Sequence, residues 1–578
     1  MALLLLPLLA TVLQAQTAPD FDVRARRITA YFDTAAAPGI LGAAVRYHTR
    51  RDLPEADSLF LHSRELTQPR GDMFWMYVVI GTYLHGKGVM SAQAEAAARK
   101  VWKTYFPYRG DTENHWCLYY TSLYLAAESW PGLPGSEWYN GRSSDENLRE
   151  AREYLVHWVA LTTSIGQGEF DSPTYLPEYV IPMTLLAQFA KDPAMKQRGR
   201  MMLEYLYADF ATDHLDGMYL GGNARDGATT VFNPRTAAAA EFAHLYFGAP
   251  ATAVSGWTVF SALSDFRLPA IIVDIANDTT RATLARERKR VRNVIRYGDE
   301  RNPPVYKTTY RTGDYGLSSL QGGILQPIQQ HTWSVRFKGA KPYSTIFGLH
   351  PYWSGRELAM FFPEQEKVLT DDVIKSKGTY AKDTKWTGSS PYERVFQHRN
   401  TLIALYDIPA GTTSEHIDLF FPKTLDERIV DSSGWILCRA GDTYIGVHPL
   451  QRGEWMRLPE DEDNHRFRSA HPQNGYIVEV RSKTEIGGFK AFSERCVSRT
   501  PFFQLRTGRV SATYTSIDGD LLKFAFPDTR HENGKRIDLT AMKLFEGPFL
   551  NADVDSQCLV ITHGTQRRIL DFRQLTIR

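Results

Sequence analysis

Apolar positions change their period once along this chain, and the change divides it in two. From about Asp20 to Asp265 they recur at steps of three and four, as in Phe74-Trp75-Tyr77-Val78-Ile80, Leu118-Leu123-Leu125-Ala126, Tyr154-Leu155-Trp158-Val159 and Met202-Leu203-Leu206-Tyr207. Such spacing lays an apolar stripe along one side of a helix. Clusters such as Trp130-Pro131-Gly132-Leu133-Pro134-Gly135 end the segments, because neither Pro nor Gly sustains a helix. After Ser264 the period shortens to two. Thr332-Trp333-Ser334-Val335-Arg336-Phe337, Thr401-Leu402-Ile403-Ala404-Leu405-Tyr406, Tyr476-Ile477-Val478-Glu479-Val480 and Leu559-Val560-Ile561-Thr562 read as strands separated by turns.

This pattern predicts an α+β chain of two domains. Roughly ten to twelve helices at the spacing of stacked hairpins suggest an N-terminal (α/α) toroid, over 20–265. An antiparallel β-sandwich domain follows over 291–578, with a linker over 266–290. The basic stretch Arg281 to Arg292 reads as a solvated face joining the halves. A chain of 578 residues is too long for one hydrophobic core, which agrees with this division.

Composition excludes more than it identifies. Apolar residues are 43% and charged residues 23% of the chain, ordinary for a water-soluble protein. A net charge of +2 gives no whole-chain case for nucleic-acid binding. The 12 Trp and 29 Tyr supply flat faces with polar rims, which suit carbohydrate. Residues 1–15, Met1-Ala2-Leu3-Leu4-Leu5-Leu6-Pro7 through Ala15, read as a secretory signal peptide, and the expected location is periplasmic or secreted. The stretch is too short to span a bilayer comfortably, so no stable membrane insertion is expected. Cys117, Cys438, Cys496 and Cys558 lack zinc-ribbon spacing; one disulfide among the last three is possible on sequence grounds. No cofactor or metal motif is present in the spacing. Oligomeric state is not encoded in any pattern read here.

Four polar stretches interrupt the periodic segments. In Asp111-Thr112-Glu113-Asn114-His115-Trp116, Asp111 or Thr112 can cap a helix whose first turn carries Asn114 and His115. Between Gly166 and Tyr179 lie Glu169, Asp171, Tyr175 and Tyr179, in what reads as an irregular exposed loop. Asp171-Ser172-Pro173 equally fits a helix start. The third stretch holds Asp213, His214, Asp216, Asn223 and Arg225; Arg225 can clamp a carboxylate through two parallel N–H bonds. A metal held by Asp213, His214 and Asp216 is the lesser reading, since no further ligand stands at metal-site spacing. The fourth carries Tyr306, Tyr310, Arg311 and, further on, His331; its bland reading is a half-buried strand with ordinary cross-strand pairs.

The layout, with adjacent Asn114-His115 near a helix start, resembles the heparinase II/III-like and alginate-lyase group of polysaccharide lyases. The resemblance covers both halves in layout, and its motifs are short. It implies that Asn114 and His115 engage the uronate at the cleaved bond, and that a Tyr some sixty residues later handles the proton. Tyr175 stands 60 positions after His115 and Tyr179 stands 64 after. It also implies that a Tyr-x-x-x-Tyr strand, here Tyr306 with Tyr310, and a His, here His331, reach the cleft. The Asn-Asn-His-Gly string of relatives is replaced by Glu113-Asn114-His115-Trp116.

β-Elimination on a uronic-acid polymer removes the proton at C5, alpha to a carboxylate whose charge must be held by donors. Asn114, with Arg225 or Arg311, can supply them, and a base and an acid complete the step. Tyr175 is the expected base and acid, His115 its partner or the opposing base, and His331 a contributor from the β half. Trp116, Trp130 and Trp138 are candidates to stack sugar rings, and Tyr120, Glu169, Asp171, Tyr179, Asn223, Tyr310 and Arg311 to line the substrate, an acidic polysaccharide or oligosaccharide. Two rivals stand beside this. A glycoside hydrolase on the same toroid would use paired carboxylates among Glu113, Glu169, Asp171, Asp213 and Asp216. A non-catalytic glycan-binding protein would need only the aromatics.

Overall fold

The computed structural model describes residues 20–34, 38–69, 71–110, 112–291, 304–322, 329–339, 341–353, 381–506 and 509–578. The expected leader, 1–15, and Asp111 lie outside them. Among the described residues, helices fill Phe21 to Asn277 and antiparallel strands dominate from Thr283 onward. The predicted periodic segments fall within helices Phe74–Gly86, Glu113–Ser129, Ser144–Ile165 and Pro193–Thr212, and the alternating runs within strands Trp333–Phe337, Thr401–Asp407, Gln473–Ser482 and Cys558–His563. No single helix among the described residues is long and apolar enough to cross a membrane.

The β half is layered. Among the described residues its largest sheet has thirteen strands. Thr283–Arg290, Pro304–Arg311, Tyr315–Gly322, Trp333–Phe337 and Thr345–Leu349 are consecutive neighbours at its centre. A six-stranded sheet packs on one face, burying Leu317, Val335 and Leu419 against Leu402, Ile445 and Val478. A five-stranded meander, Phe502–Arg506 through Lys535–Arg536, covers the far side of that sheet. The other face of the thirteen-stranded sheet meets the helices. Its last strands share the helical core, where Phe545, Leu559, Ile561 and Leu570 join the same apolar cluster as Leu203 and Ile272.

Strand alternation decides which side chains cross to the helices. Along Trp333–Phe337, Trp333, Val335 and Phe337 enter the sandwich core. The intervening Arg336 turns the other way and binds Asp226 at 2.6 Å. Along Pro304–Arg311, Tyr310 enters the sandwich, whereas Lys307 and Arg311 reach helical residues. A period of two thus makes a sheet that is apolar toward one partner and cationic toward the other.

The expected linker over 266–290 is regular structure: helix Ala270–Asn277 and strand Thr283–Arg290, which pairs with Pro304–Arg311 along its whole length. The basic stretch is solvated only in part: the Arg281 and Arg286 side chains are exposed, but its end is not. Lys289 and Arg290 are each 1% exposed, because the helical half offers them carboxylates. All four cysteines are thiols, so the disulfide admitted by sequence does not form.

Candidate functional site

Thr112 caps helix Glu113–Ser129, its hydroxyl accepting from the His115 N–H. The first turn therefore presents Glu113, Asn114 and His115 together, at the junction with the β half. Glu113 is the anchor of this junction. Its carboxylate accepts from the N–H groups of Gly168 at 2.9 Å and Glu169 at 2.7 Å, from Trp158 Nε1 at 2.9 Å, and from Arg290. The loop after helix Ser144–Ile165 is thereby tied to both halves. Gly166 opens that loop at φ +97°, and a Cβ there would stand 2.4 Å from the Arg288 carbonyl oxygen, so only glycine fits.

The loop is buried, not exposed as its composition suggested. Glu169 and Asp171 are 0% and 3% exposed. Glu169 Oε2 accepts from the Asn114 backbone N–H at 3.0 Å and from its side-chain amide, while Oε1 pairs with Arg225 Nη1 at 2.9 Å. Arg225 extends the chain of contacts. Its Nη2 donates to the Tyr175 hydroxyl at 2.9 Å, its Nε donates to Gln329 Oε1 at 2.8 Å, and its guanidinium carbon lies 4.0 Å from the Tyr175 ring centre. Burial works against the Arg225 charge, but Tyr175 and Glu169 outweigh it and hold its pKa above the ordinary value. Asn114, Glu169, Arg225, Tyr175 and Gln329 thus form one connected constellation, and Tyr175 is its half-buried outer member.

Tyr179 sits beneath it, 1% exposed and stacked on Trp158, with its hydroxyl 3.4 Å from Glu169 Oε2. Burial, then Glu113 and Glu169, drive its pKa well up, so it is a fixed donor. His115 is half-buried, with its ring 5.5 Å from that of Phe74. Gly110, at φ +82°, comes so close that a Cβ would meet His115 Nδ1 at 2.4 Å. His331 forms a backbone bridge with Asn223, each N–H donating to the other's carbonyl at 3.0 Å. Its ring contacts Phe347 on the sheet face toward the helices. Burial and then Arg336 push its pKa well below the ordinary value, leaving a neutral imidazole.

Other expected site residues have structural duties. Asn114 is wholly buried, and its amide holds Glu169 instead of facing open space. Asn223 donates to the carbonyls of Asp171 and Leu220. Tyr120 bonds Arg109 and Glu150 and stacks on Tyr154. Trp116 lies under Arg109, and Trp138 is 3% exposed in the helical core with Trp130 packed beside it; none is an open sugar platform. Tyr306 and Tyr310 point away from the helices, and Tyr310 bonds Glu485. Arg311 donates to carbonyls of Ala211, His214 and Ile275 at the ends of two helices. The metal reading fails at His214, whose Nδ1 faces the Ala276 carbonyl and whose Nε2 accepts from Gly217. Asp216 pairs with Arg235.

Behind the constellation lies a buried charge cluster. Lys289 contacts Asp171, Asp209 and Glu287 at 2.6–3.1 Å. Lys307 binds Asp171 at 2.6 Å and also Asp213. Asp171, Asp213 and Glu287 bring oxygens within 4.8 Å of one another, near enough to share a metal ion, yet the two ammonium groups already supply positive charge there. Burial raises Asp171, but Lys289 and Lys307 reverse this and hold it below the ordinary carboxylate range. Burial outweighs Lys307 at Asp213 and lifts it to about 6. Glu178, 3% exposed and with Oε2 unpartnered, is likewise pushed well up by burial.

Sequence reasoning had Glu113 only as a candidate acid and not as the anchor of the junction, and it missed Arg290, Lys289, Lys307, Gln329 and Glu178 as members of this region. Alternation in Glu287-Arg288-Lys289 was a usable signal; Gln329 carried none. No protein-family model matches the chain, and no curated protein matches it.

Proposed function

We propose that the chain is an exported polysaccharide lyase that cleaves a uronic-acid polymer by β-elimination, with the helical half a toroid of the heparinase II/III-like kind. The observation that carries this reading is the Arg225–Tyr175 contact: one guanidinium donates to the phenolic oxygen and covers the ring. A cation so placed stabilises negative charge on that oxygen when its proton leaves. In the proposed step the Tyr175 oxyanion takes the C5 proton. The C5–H electrons form the C4–C5 double bond, and the C4–O bond breaks. The departing oxygen recovers a proton from the Tyr175 hydroxyl. His115, beside the same junction, is assigned the uronate or the opposing base. Asn114 and Glu169 act as positioning residues that fix Arg225. His331, neutral, is available only as a hydrogen-bonding group.

One observation favours a hydrolase as the second reading. Burial and then, against the pull of Arg225, nearby Glu169 push the Glu178 carboxyl well up, and hydrolases need one protonated and one ionised acid. Against it, both carboxyls are buried, and Glu113, Glu169, Asp171, Asp213 and Asp216 are all engaged by cations. Incubation with uronic-acid polymers separates the two. Growing ultraviolet absorbance from the unsaturated product supports the lyase; new reducing ends without it overturn that reading in favour of hydrolysis.

A further inference from the structure

On the opposite face of the thirteen-stranded sheet lies a groove of about 580 Å³. It runs between Tyr306, strand Glu393–His398 and the turn Asp528–Thr540 of the five-stranded meander. It adjoins a second hollow of about 350 Å³ through shared Arg536 and Asp538. Neither touches Asn114, Tyr175 or Arg225. Tyr306 faces it because Lys307, its neighbour, faces the helices.

Three guanidiniums, Arg394, Arg530 and Arg536, and two carboxylates, Asp528 and Asp538, line the larger groove. Asp528 is shared: it lies 3.3 Å from Arg530 and 3.9 Å from Arg394, with its side chain 59% exposed. Arg394 Nη1 donates to the carbonyl oxygens of Pro391 and Glu393, and Arg530 donates to that of Val395. Arg394 Nε is buried with no hydrogen-bond acceptor, and in the adjoining hollow Gln321, 5% exposed, has an unpartnered Oε1. Asp538 is held ionised by its bonds to Thr540. Burial lowers the pKa of both Arg394 and Arg530, as expected where counter-charge is short.

We propose that this groove is a second carbohydrate site that holds one uronate residue of an acidic oligosaccharide, its carboxylate on Arg394 and Arg536 and its ring hydroxyls on Tyr306 and Gln321. The surplus of one positive charge matches one monovalent anion, and a planar carboxylate fits a guanidinium edge with two parallel bonds. A groove on this face gives the polymer a grip remote from the cleavage point. The choice of a uronate rests on the lyase reading; the existence of an anion site does not.

Isothermal titration of the inactive Tyr175→Phe protein with an unsulfated glucuronate hexamer tests this. The groove accounts for one binding site that Arg394→Gln/Arg536→Gln removes, with the melting temperature checking that the pair still folds. Arg536→Glu alters only an exposed side chain, and is expected to weaken that site at least tenfold. Unchanged stoichiometry and affinity in both variants overturns the proposal, as does equal binding of a sulfated but uronate-free oligosaccharide or of a neutral one. Loss of a site in the variants, in a protein that yields no unsaturated product from any uronic polymer, sustains the groove and sinks the lyase reading instead.

Discussion

Arg225 donates to Tyr175 and to Glu169 at 2.9 Å each, from the two terminal nitrogens of one guanidinium. Its third edge goes to Gln329. A single planar cation therefore fixes the Tyr175 phenol, the Glu169 carboxylate and a residue of the β half in one geometry. Lysine has one point of charge and no fork. Arg225→Lys is expected to fold and to lose turnover by about 10²-fold or more, chiefly in kcat. Steady-state rates on a uronic polymer check it, and wild-type kcat in this variant removes Arg225 from the mechanism.

Tyr175→Phe keeps the ring under Arg225 and deletes only the hydroxyl. Turnover should fall by roughly 10³-fold or more, as for loss of an acid–base group, with polymer affinity largely retained. Parallel binding and rate measurements decide this; a variant with full activity would refute the assignment.

Two nearby glutamates should answer differently to the same change. Glu169 is an ionised partner of Arg225 and Asn114, and removing one member of a buried pair costs about 3–5 kcal/mol. Burial pushes the Glu178 carboxyl well up and its Oε2 has no hydrogen-bond partner, so Glu178→Gln breaks no ion pair among the described residues and should cost less than about 1 kcal/mol. Urea unfolding of both variants measures the contrast, and equal losses would contradict the assigned pairing.

Asp213 introduces a pH dependence whose sign is fixed. Its folded pKa, about 6, is raised from 3.8 by burial, so the folded protein binds more protons than the unfolded chain between those values. The stability it contributes is present below about pH 4 and is lost as pH rises through about 6. Asp213→Asn should flatten that fall, seen as a smaller change in unfolding midpoint between pH 4 and pH 7. An unaltered slope would show that Asp213 does not titrate there.

The change of apolar period announced both halves and most element positions, because periodicity is a local property of the chain. Asn114 and Tyr175 were singled out too, Tyr175 by its spacing from His115, but the chain of contacts that joins them through Glu169 and Arg225 was not legible. Nor was the burial of those polar stretches. Glu169 and Asp171 looked like loop residues because their counter-ions, Arg225, Lys289 and Lys307, come from 56 to 136 positions further along. The same distance hid the true duty of Asn114, whose amide meets a carboxylate and not open space. Tyr310 was misplaced for a different reason: alternation tells that it and Arg311 face opposite ways, but not which of them faces the helices.

The direction of these ion pairs sets an order of events during synthesis. Glu113, Asp171, Asp209, Asp213 and Asp226 leave the ribosome before Lys289, Arg290, Lys307 and Arg336, which neutralise them. The helical half is made first and waits, with those acids lacking their lysine and arginine partners, until the central strands arrive; the ties of Glu169 to Asn114 and Arg225 lie within it. The bond from Arg225 to Gln329 can close only then, so the tie between the Tyr175 setting and the sheet is the last part of the constellation to form.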